Sequence, residues 1–532
     1  MSPAAGPGVA VVGNGPVGQT TALLLARWGI PVTVLDKRPH RSAVGSKAIC
    51  QQRDVLDIWS SLGADRIAQD GLTWTTARTY YRDRELFHWS FVDRGHSPLP
   101  AFVNVSQCHT EEVLDELIAA QPLIDVRWDH DVVDLQQDAD QVELRCDTSA
   151  GARRISVPYV VVAAGAQGND LRELLGVTFD GQTFDDRFLI CDIRAELPGW
   201  ESERRFYFDP AWNPGRQVLI HPCPDSTYRI DWQVPAGFDL EAEIARGGLE
   251  TRIRQVIGDR PYEIVWKSVY RFHARKVDRM RVGRVLLAGD FAHLVAPFGA
   301  RGLNSGVADA ENAAWKLAFV LKGWAQDALL DSYGSERGAA AAENLEVASR
   351  TMRFLVPQNR AEQELRRSIL DAAVSNAEAR GRVDSGRFAE PFWYVDSALT
   401  TNDPERVFGG RPPRGESPGV VPGVLVPDAP VRVEGRADVR RLRQLVRDGL
   451  LALVVGAGTT EIARTLSAAT AAPSVVLRLE DVDRDGVIAR ALDAKPGEVW
   501  LIRPDGHVAA VVVAGDLTAL TAAARRALGA SA

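Results

Sequence analysis

A glycine-rich turn near the start of the chain constrains its fold more than any other feature. The apolar run from Val9 to Val12 predicts a buried strand, and the alanine- and leucine-rich run from Thr20 to Trp28 predicts a helix. Between the two runs lie three glycines at G-x-G-x-x-G spacing: Gly13, Gly15 and Gly18. Residues without a Cβ let the backbone approach a pyrophosphate at a helix N-terminus, where free N–H groups and the helix dipole favour an anion. We therefore expect a nucleotide to bind here, with Pro16 and Val17 as neighbours.

A second strand and an acidic residue complete this unit. The β-branched run from Pro31 to Leu35 is followed by Asp36. This acid lies about 20 residues beyond the glycines, where a carboxylate bonds the 2′-hydroxyl of a ribose. Strand, turn, helix, strand and acid come in the order of a Rossmann-like βαβ unit. The motif does not choose between FAD and NAD, because both carry an adenosine ribose and a pyrophosphate. Lys37, beside the acid, belongs to the same expected site.

Length and charge indicate the class of protein. A chain of 532 residues allows about three folding units, and 45% apolar with 25% charged residues is typical of folded globular proteins. The net charge of −8 and the lack of a basic stripe interleaved with aromatic residues argue against nucleic acid as a partner. No positively charged segment precedes the first apolar run, and no apolar run reaches about 18 residues. We therefore expect neither a secretory signal nor a membrane span.

The cysteines and histidines argue against disulfides and metals. The five cysteines are odd in number, have no C-x-x-C spacing and all lie in the first half of the chain: Cys50, Cys108, Cys146, Cys191 and Cys223. This usage favours a reducing, cytoplasmic location. The nine histidines are scattered, so no metal is expected. Residues 481–488 imitate the start of an EF-hand loop, but Leu492 stands where the bidentate glutamate is required.

A second motif chooses FAD. Residues 284–293 read RVLLAGDFAH, residues 297–306 read PFGARGLNSG and residues 309–317 read DAENAAWKL. These segments resemble the Gly-Asp motif of class A flavoprotein monooxygenases, the family of aromatic hydroxylases that contains para-hydroxybenzoate hydroxylase and 3-(3-hydroxyphenyl)propionate hydroxylase. With the N-terminal turn, Asp36 and Gln107, the resemblance covers most of residues 8–350.

The resemblance implies roles for the residues of this motif. Asp290, after Gly289, is expected to bind the ribityl hydroxyls. The backbone N–H groups of Leu303 and Asn304, next to Gly302, are expected to face N1 and O2 of the isoalloxazine, where they stabilise negative charge on the reduced ring.

Three further residues enter the expected site by the same resemblance. Pro297 would line the ring-binding face, Gln107 would contact the ribityl chain and Arg53 would contact the pyrophosphate. For Arg53 a solvated surface role is an equal alternative.

Two positions depart from the family pattern. Residues 163–165 read Ala-Ala-Gly where the family usually has Ala-Asp-Gly, a motif tied to FAD and nicotinamide binding, so Ala164 weakens the expectation for NADPH. Residues 300–302 read Ala-Arg-Gly where many relatives have Gly-Gln-Gly. Arg301 is therefore expected beside the flavin, with an anionic substrate or the nicotinamide phosphate as its partner. No second Rossmann unit is evident, which fits a family whose pyridine nucleotide binds only transiently.

The substrate is expected to bind against an antiparallel sheet. The predicted strands carry six aromatic or polar candidates: Tyr207, Trp212, His221, Arg229, Asp231 and Trp232. A phenol reacts better as phenolate, and His221 or a tyrosine can relay its proton, although a single histidine on a strand is more often a hydrogen-bonded structural residue. The resemblance puts Arg229 where an arginine approaches the flavin. For His293, in the Gly-Asp motif, we expect a structural turn.

Changes in sequence texture predict an α/β protein of several domains. The predicted divisions are a Rossmann-like FAD-binding domain with a helical extension to about residue 396 (1–180 and 275–400), an inserted antiparallel β-sheet substrate domain (181–274, with about 72–100), a linker (401–422) and a C-terminal domain (423–532). The last resembles the thioredoxin-like appendage of larger phenol-hydroxylating relatives. It has no cysteine, so packing against the main body or homodimer formation is expected in place of redox chemistry.

These observations predict an FAD-dependent monooxygenase of an aromatic, phenolic substrate. The resemblance implies that NADH or NADPH reduces bound FAD, that O₂ is captured as a flavin C4a-hydroperoxide, and that one oxygen atom passes to the ring near His221, Arg229, Pro297 and Arg301. Two alternatives stay open: a flavin dehydrogenase or reductase on the same fold without oxygen insertion, and a flavin-binding protein that acts through its terminal domain. The substrate, the regiochemistry, a catabolic or biosynthetic role and the choice of nicotinamide do not follow from the sequence.

Overall fold

The fold is known from a computed structural model that describes residues 8–42, 48–91, 93, 96–386, 388–412 and 418–530. Residues 1–7, which bear on the expected absence of a secretory signal, and residues 413–417 of the predicted linker lie outside the described residues. In chain order the strands are β1 (Val9–Val12), β2 (Val32–Leu35), β3 (Cys50–Gln52), β4 (Thr76–Tyr81), β5 (Arg84–Ser90), β6 (Phe102–Asn104), β7 (Ile124–Arg127), β8 (Asp131–Gln137), β9 (Val142–Asp147), β10 (Arg153–Val157), β11 (Tyr159–Val162), β12 (Phe179–Ala195), β13 (Glu203–Phe208), β14 (Gln217–Cys223), β15 (Thr227–Val234), β16 (Tyr262–Val277), β17 (Arg281–Val282), β18 (Val285–Leu287), β19 (His293–Leu294), β20 (Leu450–Val454), β21 (Ser474–Arg478), β22 (Glu498–Ile502) and β23 (Val508–Val513).

The helices alternate with these strands and dominate residues 301–381. In chain order they are α1 (Pro16–Arg27), α2 (Arg53–Ser60), α3 (Arg66–Asp70), α4 (Gln107–Ala119), α5 (Asn169–Leu174), α6 (Leu240–Ala245), α7 (Gly248–Ile257), α8 (Arg301–Leu321), α9 (Asp331–Leu355), α10 (Arg360–Ala373), α11 (Ala377–Gly381), α12 (Arg443–Val446), α13 (Thr459–Ala469), α14 (Leu479–Val482), α15 (Val487–Leu492) and α16 (Leu517–Ala527). Across the part of the chain with described coordinates, no helix combines the length and the apolar character needed to cross a bilayer.

A six-stranded sheet forms the centre of the N-terminal body. Its order is β17-β18-β11-β1-β2-β7, and all neighbours are parallel except β17 and β18. β1 is buried along its whole length, as a strand covered on both faces requires. Parallel neighbours end at one edge of a sheet, so the loops after β1, β11 and β18 meet there. α8 comes to the same edge, because Gly306 on α8 packs directly against Val17 and Gly289.

An eight-stranded sheet is inserted into this body. Its order is β19-β16-β12-β15-β14-β13-β4-β5, so the segments predicted at 72–100 and 181–274 contribute to one sheet. Its neighbours are antiparallel except β4 and β13. One face packs against α6 and α7. The other face turns toward α9 and α10, and the candidate substrate residues divide between the two faces.

The helical extension ends earlier than the sequence predicted. α9, α10 and α11 carry the chain to Gly381, whereas the alanine-rich composition had predicted helix to about residue 396. Gly386 has a φ of +92°, and Pro391 follows soon after. A left-handed glycine and a proline both interrupt an α-helix, so the segment after α11 continues as a loop.

The C-terminal domain contains a four-stranded sheet in the order β21-β20-β22-β23. β20 and β21 are parallel and joined by α13, whereas β22 and β23 form an antiparallel pair followed by α16. The predicted thioredoxin-like character of this domain stays a prediction. The domain packs on the main body, because side chains of β20 share a hydrophobic core with Trp315 and Phe319 of α8.

Candidate functional site

The three glycines of the N-terminal turn have different surroundings. Gly13 has a φ of +106°, and a Cβ there would overlap the Ala163 carbonyl. A Cβ on Gly18 would overlap the Gly13 carbonyl. Both glycines are therefore required by the packing of the protein itself. Around the Cβ position of Gly15, in contrast, no atom of the described residues lies within 4 Å apart from its two chain neighbours. The open space lies directly before α1, which begins at Pro16.

The Asp36 carboxylate is held firmly at the end of β2. It accepts from the Asn14 N–H at 2.8 Å and from the Arg38 guanidinium at 2.9 and 2.8 Å. Burial alone would raise the pKa of Asp36, but the hydrogen bonds from Arg38 and Asn14 lower it overall. The acid is thus ionised beside the glycine turn, and each of its oxygens already accepts two hydrogen bonds from the protein. Its contact with a ribose stays a prediction. Arg38 was not predicted as part of the site, and the predicted Lys37 is exposed.

A buried aspartate, absent from the predicted site, holds the Gly289–Asp290 turn. Gly289 has a φ of +59°, and its N–H donates to Asp309 Oδ2 at 3.0 Å. His293 Nε2 lies 2.7 Å from the same oxygen, and Arg337 Nε donates to the other at 2.6 Å. The structural role predicted for His293 is therefore confirmed. These bonds fix the turn and leave the Asp290 side chain on the surface.

The start of α8 lies next to this turn. The residue before the helix, Ala300, is left-handed with a φ of +56°. An α-helix has no acceptor of its own for its first N–H groups, and here these include the N–H groups of Gly302 and Leu303. Apart from its chain neighbours and its own helix, the described residues place one atom within 4 Å of a Cβ position on Gly302, which is Asp290 Oδ1 at 3.9 Å. The first amides of α8, open space and a carboxylate therefore lie together.

The side chain of Asn304 ties α8 to the rest of the body. Its amide nitrogen donates to the Cys50 carbonyl at 3.0 Å and to the Ala300 carbonyl at 2.5 Å. Its oxygen accepts from the Gln52 N–H at 2.9 Å. The side chain has a structural role, so only the backbone of Asn304 is available for the role expected from the resemblance.

Two residues expected near the pyrophosphate and the ribityl chain have protein partners. Arg53 donates to the Leu99 carbonyl at 3.0 Å and pairs with Asp93. Gln107 begins α4 and donates to Glu111 at 2.8 Å. Their proposed contacts with the cofactor stay predictions.

Two residues expected on the ring-binding side differ in exposure. Pro297 is exposed in the loop before α8, in keeping with a ligand-facing position. Arg301 is only 4% exposed. Its guanidinium donates to Asn344 at 2.7 Å and to the Phe388 carbonyl at 3.2 Å. Contact with an anionic ligand would require Arg301 to leave these partners.

Five charged or titratable residues of the large sheet gather on one face. This polar cluster consists of Asp192, Arg204, His221, Arg229 and Asp231. Arg229 is buried and donates twice to Asp192, each time at 2.8 Å. His221 lies opposite Arg229 in the β14–β15 register, and its Nε2 is 3.9 Å from Asp231 Oδ2. Of the Asp231 oxygens, Oδ1 has no hydrogen-bond partner among the described residues.

The environment shifts both proton-carrying groups of the polar cluster toward neutrality. Burial raises the pKa of Asp231 to about 7, and the nearby Arg229 only partly offsets this effect. Burial, with the positive charges of Arg204 and Arg229, lowers the pKa of His221 well below its usual value. At neutral pH, His221 is therefore uncharged and Asp231 is close to half ionised. A carboxylate with this pKa is suited to accept a proton near pH 7.

The polar cluster is connected to the start of α8. Asn304 donates to Cys50, whose partner across the β3–β6 pair is Asn104. The Asn104 amide then donates to the Pro222 carbonyl at 2.8 Å, and Pro222 follows His221 directly in β14. Two hydrogen bonds and one strand pair therefore join the expected flavin-facing helix to the polar cluster.

An apolar wall continues the same face of the sheet beyond the polar cluster. It consists of Phe188, Phe206, Phe208, Phe272, Phe298 and Met352. The predicted candidates Tyr207, Trp212 and Trp232 pack with the opposite face instead. Successive residues of a strand point to opposite faces, so Tyr207 and Trp232 are separated from Phe206 and Asp231. The structure brings together His221, Arg229 and Asp231 but not the other three.

Comparisons with known proteins agree with this architecture. Residues 8–348 match the family model described as FAD binding domain. The chain is 29% identical to 6-methylpretetramide 4-monooxygenase of Streptomyces rimosus, over 97% of this chain and 93% of that protein. It is 30% identical to para-nitrophenol 4-monooxygenase of Pseudomonas sp. (strain WBC-3), over 62% of this chain and 82% of that protein.

A solved structure has the same fold over nearly the whole chain. The flavin-dependent monooxygenase PieE in complex with FAD and substrate superimposes with a TM-score of 0.85 at 24% identity, covering 99% of this chain and 100% of that one. The match extends through the C-terminal domain. The chain therefore belongs to the family of FAD-dependent aromatic hydroxylases that carry this FAD binding domain.

Proposed function

We propose that the chain hydroxylates a neutral, fused-ring phenol and that the polar cluster takes the proton of the phenol. The observation that carries this proposal is the connection from Asn304 through Cys50 and Asn104 to the strand of His221. It joins the expected flavin-facing end of α8 to a carboxylate whose pKa is raised to about 7. The proposal therefore sets the cofactor and the proton acceptor near each other on this side of the sheet.

The residues at the sheet edge fit FAD. The space beside Gly15 and before α1 suits a pyrophosphate, and Asp36 is a charged acceptor for a ribose hydroxyl. Asp290 is exposed, so its carboxylate keeps its charge without a desolvation penalty and suits hydrogen bonds from the ribityl hydroxyls. The N–H groups of Leu303 and Asn304, the pair expected to face the isoalloxazine, lie at the start of α8 and suit the pyrimidine end of the flavin. When bound, FAD supplies electron transfer from NADH or NADPH and the activation of O₂.

The polar cluster has a defined task in this proposal. The phenol hydroxyl gives its proton to Asp231, directly or through the uncharged His221, whose Nε2 is 3.9 Å from Asp231 Oδ2. The phenolate then carries the negative charge beside Arg204, which already acts electrostatically on both groups. The ring becomes more electron-rich when its hydroxyl is ionised, and it is then the better nucleophile toward activated oxygen.

Two features favour a neutral phenol over an aromatic acid. The arginines that the sequence suggested for an anion both have protein partners: Arg229 pairs with Asp192, and Arg301 donates to Asn344 and Phe388. Asp192 neutralises Arg229, and Arg301 would have to leave its present partners to bind a substrate carboxylate. The Streptomyces relative, similar over 97% of this chain, is named for a pretetramide substrate.

Isotope labelling tests the proposal against the dehydrogenase alternative. The loaded enzyme is incubated with NADH or NADPH under ¹⁸O₂, with one panel of fused-ring phenols and another of hydroxybenzoates. We expect one ¹⁸O atom in a fused-ring product. Product without the label would favour a dehydrogenase or reductase, and turnover of hydroxybenzoates alone would contradict the proposed substrate class.

A pair of variants tests the role of the polar cluster. Asp231→Asn removes the proton acceptor at almost constant size, and we expect product formation to fall by about 100-fold. Asp185→Asn on the same sheet is the matched control, because Asp185 is exposed and pairs only with Arg271 in the contacts described. Equal activity of the two variants would contradict the role of Asp231.

A further inference from the structure

A buried network of charged side chains joins the C-terminal domain to the main body. Arg503, which follows β22, is fully buried. It donates to both carboxylate oxygens of Glu336 on α9, at 2.5 and 2.9 Å. The same guanidinium pairs with Asp505 of its own domain at 2.6 Å, and Asp505 accepts from the Trp315 indole on α8 at 3.1 Å. Arg503 and Asp505 therefore fix one point on α9 and one on α8.

α9 extends this connection to the Gly289–Asp290 turn. Arg337 follows Glu336 directly and donates to Asp309 at 2.6 Å and to the Ser305 carbonyl at 3.1 Å. Asp309 accepts the Gly289 N–H at 3.0 Å. Glu336 and Arg337 are consecutive residues of one helix, so a shift of α9 that loosens the first displaces the second.

The charges of the network balance. Its three cations are Lys316, Arg337 and Arg503, and its three anions are Asp309, Glu336 and Asp505. All six side chains are almost completely buried. A buried charge that loses its partner is strongly unfavourable, so each member depends on the position of the others. If Arg503 moves, water cannot take the place of its lost hydrogen bonds, because the network is buried.

We propose that Arg503 is a positioning residue for FAD. Through Glu336, Arg337 and Asp309, the C-terminal domain holds the Gly289–Asp290 turn in the conformation that binds the cofactor. Arg503 itself does not contact the turn. The inference rests on the proposed role of Asp290 in binding FAD. It gives the C-terminal domain, which lacks the thioredoxin cysteines, a task in cofactor retention.

Conservative variants of the full-length protein test this inference. Arg503→Lys keeps the charge but loses the paired bonds to Glu336. Arg337→Lys keeps the charge but loses the Nε bond to Asp309. We expect titration of each apoprotein with FAD to give a Kd about tenfold higher, equivalent to about 1.4 kcal/mol. We also expect the midpoint potential of the bound flavin to shift, which a purely stabilising residue would leave unchanged.

The matched control lies in the same domain interface. Arg443 donates to Asp54 on α2 at 2.8 Å, and neither residue belongs to the network. Arg443→Lys is expected to leave the FAD Kd and the potential unchanged. If Arg443→Lys raised the FAD Kd as much as Arg503→Lys, the inference would be overturned. Any loosening of the domain interface would then be enough to weaken FAD binding.

Two further outcomes separate the inference from the proposed site. An Arg503→Lys apoprotein that binds FAD as tightly as the wild type would overturn the inference alone. Asp290→Ala with wild-type affinity would refute the proposed cofactor site itself. If Arg503→Lys does not fold, Ser397→Ala serves instead, since it removes the 2.6 Å bond that Ser397 donates to Glu336, together with a local bond accepted from the Leu399 N–H. It is expected to raise the Kd about threefold, and an unchanged Kd would count against the inference.

Discussion

The three glycines of the N-terminal turn do not all lack a side chain for the same physical reason. Gly13 and Gly18 are excluded from carrying a side chain by backbone atoms of the protein, whereas Gly15 faces open space. The G-x-G-x-x-G spacing treats the three alike. Only the structure separates the glycines that the fold requires from the one that a ligand requires.

Substitution by alanine is expected to separate these two reasons. Gly15→Ala should leave the apoprotein as stable as the wild type but raise the Kd for FAD about tenfold or more, because the new methyl group occupies the pyrophosphate space. Gly18→Ala should lower the free energy of unfolding by about 2 to 3 kcal/mol even without FAD, because the methyl group overlaps backbone. Urea unfolding of both apoproteins and FAD titration distinguish these effects. Equal stability of the two variants would contradict this reading.

The raised pKa of Asp231 makes a prediction about pH. Its pKa of about 7 in the folded state lies above that of an ordinary aspartate in the unfolded chain, about 3.9. Between these values the unfolded chain binds fewer protons, so the free energy of unfolding falls as the pH rises. Asp231→Asn should therefore raise the Tm relative to wild type at pH 8 and change it little at pH 4. A Tm gain of the same size at both pH values would argue against a raised pKa.

The same group should govern the pH dependence of catalysis. Asp231 accepts a proton only when ionised, so kcat/KM should rise with pH through an apparent pKa of about 7. In Asp231→Asn this inflection should be absent. An unchanged inflection in the variant would assign the titration to another group.

At the residue scale, motifs predicted the groups that adjoin the ligand better than those that support them. Asp36 and Asp290 follow strands at fixed positions in a motif, so sequence reasoning could find them. Asp309 and Asp192 act by pairing with residues distant in sequence, Arg337 and Arg229, and no spacing rule encodes those pairs. Asp309 is part of the Gly-Asp motif in the sequence. That its side chain points toward Gly289, however, depends on the packing of α8.

At the scale of elements, strand alternation decided which sheet residues could act together. The sequence predicted the strands near His221 and Arg229, but six candidates remained because the register was unknown. The β14–β15 register sets His221 opposite Arg229 and turns Trp232 to the other face. Pairing of distant strands depends on the whole fold, so the sequence alone did not resolve it.

The start of α8 depends on one side chain at this scale. Asn304→Ala should leave the Cys50 and Ala300 carbonyls and the Gln52 N–H without their partner, and an unsatisfied buried group costs about 1 to 3 kcal/mol. We expect a lower free energy of unfolding and a weaker FAD complex. Asn359→Ala is the control: Asn359 caps α10 by accepting from Glu362, and its loss should cost about 1 kcal/mol without affecting FAD. Equal FAD affinity in both variants would contradict the importance of Asn304.

At the scale of the whole molecule, the C-terminal domain completes the hydrophobic and ionic contacts of the body. It covers Trp315, Phe319 and Leu329, and Arg441 and Arg447 pair with the buried Asp57 of α2. The sequence located the domain by its proline- and glycine-rich boundary and its strand pattern. Packing against the main body was one of two expectations from the sequence. The contacts that carry it could not be predicted, because the buried partners come from two separate parts of the chain.

Removal of residues 420–532 is expected to destabilise the main body. The deletion exposes the apolar side chains of α8 and leaves Glu336 and Asp57 without their arginines. We expect a lower Tm, aggregation on size-exclusion chromatography and loss of bound FAD. A truncated protein with the Tm and oligomer size of the full chain would contradict this expectation and would also end the hypothesis of a dimer formed through this domain.

The most direct test of the central claim is anaerobic reduction of the bound flavin. NADH and NADPH are compared at the flavin absorbance band, with and without fused-ring phenols. We predict reduction that accelerates strongly with one phenol, and loss of that acceleration in Asp231→Asn. If neither nucleotide reduces the flavin under any condition, Ala164 has removed nicotinamide use, and the account of this chain as a phenol hydroxylase driven by NADH or NADPH is wrong.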